Sequence, residues 1–279
     1  MTRSRASAYA KLNLALVVGP LRSDDKHEVV TVMQTIDLHD DVELEPGRGL
    51  AVDGFEDDTL VRAALEALAE RARVTPAWRV RVEKRIPVAA GLGGGSSDAA
   101  VALGLANDGL AEPLPHEELH EVATRLGADV PFFLRAGSQL ATGDGSDLSP
   151  LHLPTDYVVL VVLPGGEHKR STASVYRRFD QRRGHEGFEE RCAELRHVLE
   201  GVEVARDLSR LPPNDLASSP VSDELVRLGA LRADVTGAGP AVYGLFEDEP
   251  AARRAVSSLH RVGPTWVSRP LPGTAAPAR

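Results

Sequence analysis

Cysteine is all but absent: among 279 residues there is one, Cys192. An intramolecular disulfide and a cysteine-built zinc cluster are both excluded, which fits a reducing compartment, and a packing role is expected for the lone thiol. Long apolar runs are also missing. No stretch approaches the ~18 apolar residues of a membrane helix, so no membrane partner is expected. The first residues, Met1-Thr2-Arg3-Ser4-Arg5, run into polar-apolar alternation without the apolar core of a signal peptide, so a cytoplasmic location is expected. Lysine is scarce, with Lys11, Lys26, Lys84 and Lys169 the only four among 32 basic residues. Arginine replaces lysine poorly where a compact point charge must meet phosphate, which draws attention to Lys11 and Lys84. A net charge of -9 argues against a general nucleic-acid surface but permits a local basic pocket for an anionic ligand.

What is present is ordinary for a globular chain: 42% hydrophobic and 26% charged residues. The length predicts two moderate lobes. Residues 8–18 alternate and then thicken with Leu and Val, predicting a strand with Lys11 and Asn13 on one face and an apolar opposite face. Strands are predicted at 29–38, 41–44 and 78–86, and an amphipathic helix at 59–73. After Pro87 comes Ala89-Ala90-Gly91-Leu92-Gly93-Gly94-Gly95-Ser96-Ser97-Asp98, then a predicted helix at 99–106 and another at 116–126 ended by Gly127. The polar stretch 142–147 and the prolines at 150 and 154 predict a lobe boundary near 148–154. This divides the chain into an N-terminal domain at 1–150, a C-terminal α+β domain at 151–270 with a strand at 157–163, and a disordered tail at 271–279.

Three features carry chemistry. Glycines opening a helix let backbone N–H groups approach an anion, and the helix dipole adds ~0.3–1 kcal/mol of attraction; Ser96 and Ser97 add hydroxyl donors. The loop lacks the Gly-Lys-Ser/Thr ending of a P-loop and the acidic residue of a dinucleotide fingerprint. Phosphoryl transfer needs a cation near the phosphate oxygens and a group to orient or deprotonate the hydroxyl, and Lys11 and Asp129 can supply these. Taken alone, Lys11 reads as a solvent-facing strand residue and Asp129 as a cap for the turn at Val130. The segment His116-Glu117-Glu118-Leu119-His120 satisfies the two-histidine helix pattern of zinc hydrolases, but no third ligand follows at a characteristic spacing, and an exposed helix face is the better reading.

The segments Ala10-Lys11-Leu12-Asn13-Leu14, the glycine-serine loop and Leu126-Gly127-Ala128-Asp129-Val130-Pro131-Phe132-Phe133 occur in that order. Together they resemble the GHMP kinase superfamily over residues 8–246. Asn214-Asp215-Leu216 and Thr236-Gly237-Ala238-Gly239-Pro240 extend the likeness to the branch that phosphorylates a cytidine-diphosphate-linked alcohol in non-mevalonate isoprenoid biosynthesis. The resemblance implies an α+β, two-lobed kinase with its active site in the cleft between the lobes. It implies Lys11 and Asp129 as the catalytic pair and Asn13 near the substrate hydroxyls. Pro87, Ala89, Ala90, Gly91, Leu92, Gly93, Gly94, Gly95, Ser96 and Ser97 are implied to bind ATP, with Lys84 on the approach to the adenine pocket and Mg2+ arriving with ATP. Loop 236–240 is implied to close over the phosphates.

His27, Thr172 and Tyr176 are implied to contact the substrate, whose cytosine needs an aromatic platform and edge contacts. Two positions depart from the family pattern. Lys26 stands where an aromatic residue usually precedes the histidine, leaving the base to Tyr176 alone or to a cation–π contact. Thr59 stands where an adenine-contacting asparagine is common. Thr172 also reads as a helix N-cap. The alternatives are a GHMP kinase of the homoserine or mevalonate type, and a non-catalytic ATP-binding protein of the same fold.

Overall fold

The computed structural model describes residues 3–54, 59–165 and 171–273, so most of the expected tail lies outside the described residues. Two long strands open the chain, β1 (Ser4–Leu21) and β2 (His27–Pro46), and they pair with each other. The chain divides into two compact units interleaved in sequence: Met1–Ala10, Leu38–Val88 and Gly93–Ala136 form one, and Lys11–Asp37, Ala89–Leu92 and Gly137–Arg279 the other. A linear boundary near 148–154 thus remains a proposal distinct from these contact-defined units.

In the first unit, the end of β2 pairs antiparallel with β4 (Trp78–Glu83), Val42 opposite Val82 and Leu44 opposite Val80, while β3 (Ala51–Asp53) lies parallel to β4. β4 alternates strictly, burying Trp78, Val80 and Val82. The core is closed by α1 (Thr59–Ala72), α2 (Gly94–Asp108) and α3 (His116–Leu126). α1 presents Val61, Ala64, Leu65 and Leu68 at helical spacing, and α3 presents Leu119, Val122 and Ala123. A 3-10 turn, Pro131–Leu134, follows α3.

Two expectations are corrected here. β2 is one strand, not two, because the polar interruption at Asp40 is satisfied in place: its Oδ1 accepts from the Arg85 and Ile86 amides and its Oδ2 from Lys84. α2 begins at Gly94 rather than 99, so Gly94, Gly95, Ser96 and Ser97 form its first turn. Gly93 turns the chain into the helix at φ 73°, a conformation that favours glycine.

In the second unit, β2 pairs antiparallel with β5 (Ser138–Thr142), which forms a hairpin with β6 (Asp147–Leu151). The polar stretch 142–147 that pointed to a boundary holds the hairpin turn, with Gly143 and Gly145 at positive φ and Asp144 accepting from Ser146, and residues 147–151, at its end and beyond it, form β6. A second, antiparallel sheet runs β10 (Thr265–Ser268), β7 (Val158–Val162), β9 (Val242–Phe246), β8 (Arg232–Val235). Every residue of β7 and β9 is buried, which explains their unbroken apolar character. α6 (Pro220–Arg227) and α7 (Glu249–Ser258) pack on it, whereas α4 (Thr172–Gln181) sets Val175 and Phe179 against β1 and β2, and α5 (Phe188–Glu200) reaches β1 through Arg191, which donates to the Val18 carbonyl.

Candidate active site

β1 carries Lys11 and Asn13 into the second unit with both of its faces covered. Lys11 is 3% exposed and Asn13 5%, so the solvent-facing reading of Lys11 is corrected. A buried ammonium needs partners, and the Lys11 Nζ donates to Asn13 Oδ1 at 2.5 Å. The Asn13 amide in turn donates to Thr31 Oγ1 at 2.8 Å, and Thr31 donates to the Ala15 carbonyl. Thr236, fully buried, closes the group: its hydroxyl accepts from the Asn13 backbone N–H at 3.1 Å and reaches the Gly91 carbonyl at 3.2 Å.

The loop segment Ala89–Leu92 is held against the same group. Leu92 accepts from the Lys11 backbone N–H at 2.9 Å, and Ala90 accepts from the Ala241 N–H at 3.1 Å. Ala89 and Gly91 both take positive φ. A Cβ on Gly91 would lie 2.3 Å from the Thr236 carbonyl, so this close approach requires glycine.

In the first unit, the opening turn of α2 lies beside a buried charge cluster. Lys84 Nζ donates to Asp40 Oδ2 at 2.6 Å and to Asp98 Oδ2 at 2.5 Å, and both aspartates are fully buried. A Cβ on Gly94 would come within 3.4 Å of the same ammonium. Burial alone would lower the Lys84 pKa, but the charge and hydrogen bonds of Asp98 and Asp40 outweigh it and hold it above the ordinary lysine value. Ser97 is buried, Ser96 half-buried and Gly95 exposed at the helix start; Pro87 is half-buried.

His27 and Tyr176 are brought together. Their ring centroids lie 4.8 Å apart, Phe179 meets His27 edge-on, and His27 Nε2 is 2.8 Å from Asp180 Oδ1. Lys26 pairs with Asp144. Thr172 is exposed at the first position of α4, and the cap is Ser171, whose side chain accepts from the Ser174 N–H; the N-cap alternative for Thr172 is corrected. Asp129 is half-buried in the turn after α3, and Val130, not Asp129, is the cap residue of the 3-10 turn that follows. His116 and Glu117 are exposed in the first turn of α3. Among the described residues no group of three His, Cys, Asp or Glu is arranged to hold a metal ion, and no helix is long and apolar enough to cross a membrane.

Sequence reasoning missed Thr31, Asp40 and Asp98, and treated Thr236 only as part of a loop. Asp98 directly follows the glycine-serine run, a signal that was there to be used. Thr31 and Asp40 have no such local mark.

Comparison with known proteins first defines a class. Residues 59–137 match the family described as GHMP kinases N terminal domain, and residues 217–265 match GHMP kinases C terminal. A 4-diphosphocytidyl-2-C-methyl-D-erythritol kinase of Pelotomaculum thermopropionicum is 39% identical over 276 residues, covering 92% of this chain and 93% of the relative. One from Chlorobium phaeobacteroides is 33% identical over 289 residues, covering 97% and 99%. A crystal structure of 4-(cytidine 5'-diphospho)-2C-methyl-D-erythritol kinase is 31% identical with a TM-score of 0.77, covering 96% of this chain and 99% of that one. The mevalonate kinase of Methanococcus jannaschii, at 14% identity and a TM-score of 0.73, shares the fold. The chain belongs to the 4-diphosphocytidyl-2-C-methyl-D-erythritol kinase family of small-molecule GHMP kinases.

Proposed function

We propose that this enzyme transfers the γ-phosphoryl group of ATP to the 2-hydroxyl of 4-diphosphocytidyl-2-C-methyl-D-erythritol, in the cytoplasm, as a step of isoprenoid precursor biosynthesis. Family membership supports the substrate. The observation that carries the chemistry is the Lys11 ammonium, almost wholly buried and hydrogen-bonded to Asn13, in one polar group with Thr236 and Gly91.

In this reading Asp129 takes the proton from the 2-hydroxyl. The oxygen forms its bond to the γ-phosphorus as the bond from that phosphorus to the β,γ-bridging oxygen breaks, and ADP leaves. Charge spreads over the phosphoryl oxygens during transfer, so positioning and electrostatics supply most of the acceleration. Lys11 offsets that charge and Asn13 orients the hydroxyl. Pro87 and residues 89–97 receive ATP: the carbonyl-anchored Ala89–Leu92 segment, and the first-turn N–H groups of α2 with Ser96 and Ser97. Tyr176 and His27 take the cytosine, with Thr172 near the substrate. Lys26 is committed to Asp144, which favours Tyr176 over a cation–π contact as the platform.

Magnesium fits as a companion of ATP. It commonly keeps several waters and binds through substrate phosphates rather than a protein cage, and Asp98, the carboxylate nearest the loop in sequence, is engaged by Lys84. When bound, it neutralises phosphate charge.

The test is a coupled ADP-release assay with ATP and magnesium, comparing the cytidine-diphosphate methylerythritol with homoserine and mevalonate. Turnover of the cytidine substrate alone is expected. Turnover of another alcohol keeps the kinase and discards the substrate, and silence on all three removes the catalytic reading.

A further inference from the structure

We propose that Asn214 is a positioning residue for phosphoryl transfer: it holds loop 236–240 in register with the strand that carries Lys11 and Asn13. The kinetic part of this proposal rests on the kinase reading above. The segment Asn214-Asp215-Leu216 is more than 190 residues from β1 in sequence, yet it docks along that strand. Leu16 and Asn214 form a parallel bridge, and the Asp215 N–H donates to the Leu16 carbonyl at 2.9 Å. Asp215 Oδ2 accepts from the Val18 N–H at 2.8 Å, and Leu216 packs with Leu16, Val18 and Val29.

Asn214 turns its side chain to a different partner. Its Nδ2 donates to the carbonyls of Val235 at 2.9 Å and Gly237 at 2.7 Å, and its Oδ1 accepts from the Leu216 N–H at 2.8 Å. Its backbone N–H donates to Asp234, itself paired with the buried Arg232. One donated bond therefore holds the last residue of β8, the other holds the loop, and the acceptor is spent on the docked segment. Few side chains of this size offer two donors and an acceptor.

Gly237 is where this reaches the chemistry. It sits at φ +58°, and a Cβ there would lie 3.6 Å from Lys11 Nζ, 3.5 Å from Asn13 Oδ1 and 3.4 Å from the Gly91 carbonyl. The residue whose carbonyl Asn214 grips thus packs against the Lys11 ammonium. Thr236, the hydroxyl joining Asn13 to Gly91, is the next residue back. Releasing the Gly237 carbonyl shifts the groups around Lys11 without removing any of them.

Asn214→Asp keeps the size and the acceptor toward Leu216 but sets an anion against two carbonyl oxygens. Its kcat on the cytidine-diphosphate methylerythritol is expected to fall about 10- to 100-fold, since small misplacements cost that much, while both KM values move less than about threefold. Leu225→Ala, a fully buried core residue of α6, serves as a destabilised reference with kcat unchanged at a temperature where both variants are folded. Amide exchange in the peptide covering 235–241 is expected to accelerate about tenfold in Asn214→Asp and not in Leu225→Ala, because the Gly239 and Ala241 N–H groups are bonded to Thr236 and Ala90. If Asn214→Asp fails to fold, Asn214→Ser is expected to show the same pattern at smaller size. Unchanged kcat and exchange, or equal losses in Leu225→Ala, overturn the proposal. Should the wild type not turn over this substrate, the substrate reading falls while the exchange comparison still decides whether Asn214 holds the loop.

Discussion

Replacing Lys84 by Met keeps most of the side-chain volume and deletes the charge, which makes it a direct test of the buried cluster beneath α2. The wild-type ammonium lies 2.6 Å from Asp40 Oδ2 and 2.5 Å from Asp98 Oδ2, with both carboxylates sealed from solvent. Removing one partner of a buried ion pair costs about 3–5 kcal/mol, because the other charge is left uncompensated. Asp40 keeps its two backbone donors, Arg85 and Ile86, so the lower end, about 3 kcal/mol, is expected. At roughly 2–4 °C per kcal/mol for a chain of this size, Tm falls by about 6–12 °C. Urea unfolding followed by circular dichroism measures the loss directly. Adding Asp98→Asn to Lys84→Met removes one stranded charge and is expected to recover about 1 kcal/mol or more. The pH dependence has a definite sign. The folded pKa of Lys84 lies above the ordinary 10.5, so its contribution is complete below that value and is lost as pH rises through the folded pKa. The gap between wild type and Lys84→Met therefore narrows in strong alkali. A loss below about 1 kcal/mol at neutral pH, or a full loss indifferent to Asp98→Asn, refutes the argument.

Asp129→Asn is expected to lower kcat by about 10²- to 10⁴-fold with Tm unchanged; near-normal turnover in the ADP-release assay removes Asp129 as the base. Tyr176→Ala is expected to raise the KM of the cytidine substrate more than that of ATP, and equal changes take Tyr176 out of the cytidine site. Burial would raise the Asp144 pKa, but hydrogen bonds from Lys26 and Ser146 hold it at about 2, below the ordinary 3.8. Its contribution is present above about pH 3.8 and lost as pH falls through about 2. Lys26→Met should flatten that acid limb, and a limb identical to wild type contradicts the pairing.

Elements built from local pattern were legible. α3 runs from His116 to Leu126 as its periodicity and Gly127 predict, and α1 and β4 differ from expectation only at their ends. β7 falls within the expected buried strand. Elements decided by distant partners were not. β2 looked broken because Asp40 is a charge in a strand, and what keeps it there is Lys84, 44 residues away. The hairpin of β5 and β6 was hidden because its turn residues, Gly143 to Ser146, read equally well as a linker. The start of α2 was set too late because glycine disfavours helix interiors, whereas the first turn, opened by Gly93, tolerates it.

The same division runs through the site. Lys11, Asn13 and the glycine-serine run could be named because each belongs to a short motif whose chemistry is local. What holds them could not, since Asn13 meets Thr236 across 223 residues and Thr31 across 18. A lysine in a strand is ambiguous until its surroundings are known: exposed, it aids solubility, and buried, it must be paired. The structure resolves that ambiguity for Lys11 by burying it on Asn13, and for Lys84 by closing two aspartates around it. Two scarce lysines that look alike in sequence thus differ in kind. Lys84 is bonded to two buried carboxylates beneath α2, whereas Lys11 donates to the Asn13 amide oxygen within the same polar group as Gly91, Thr236 and Gly237.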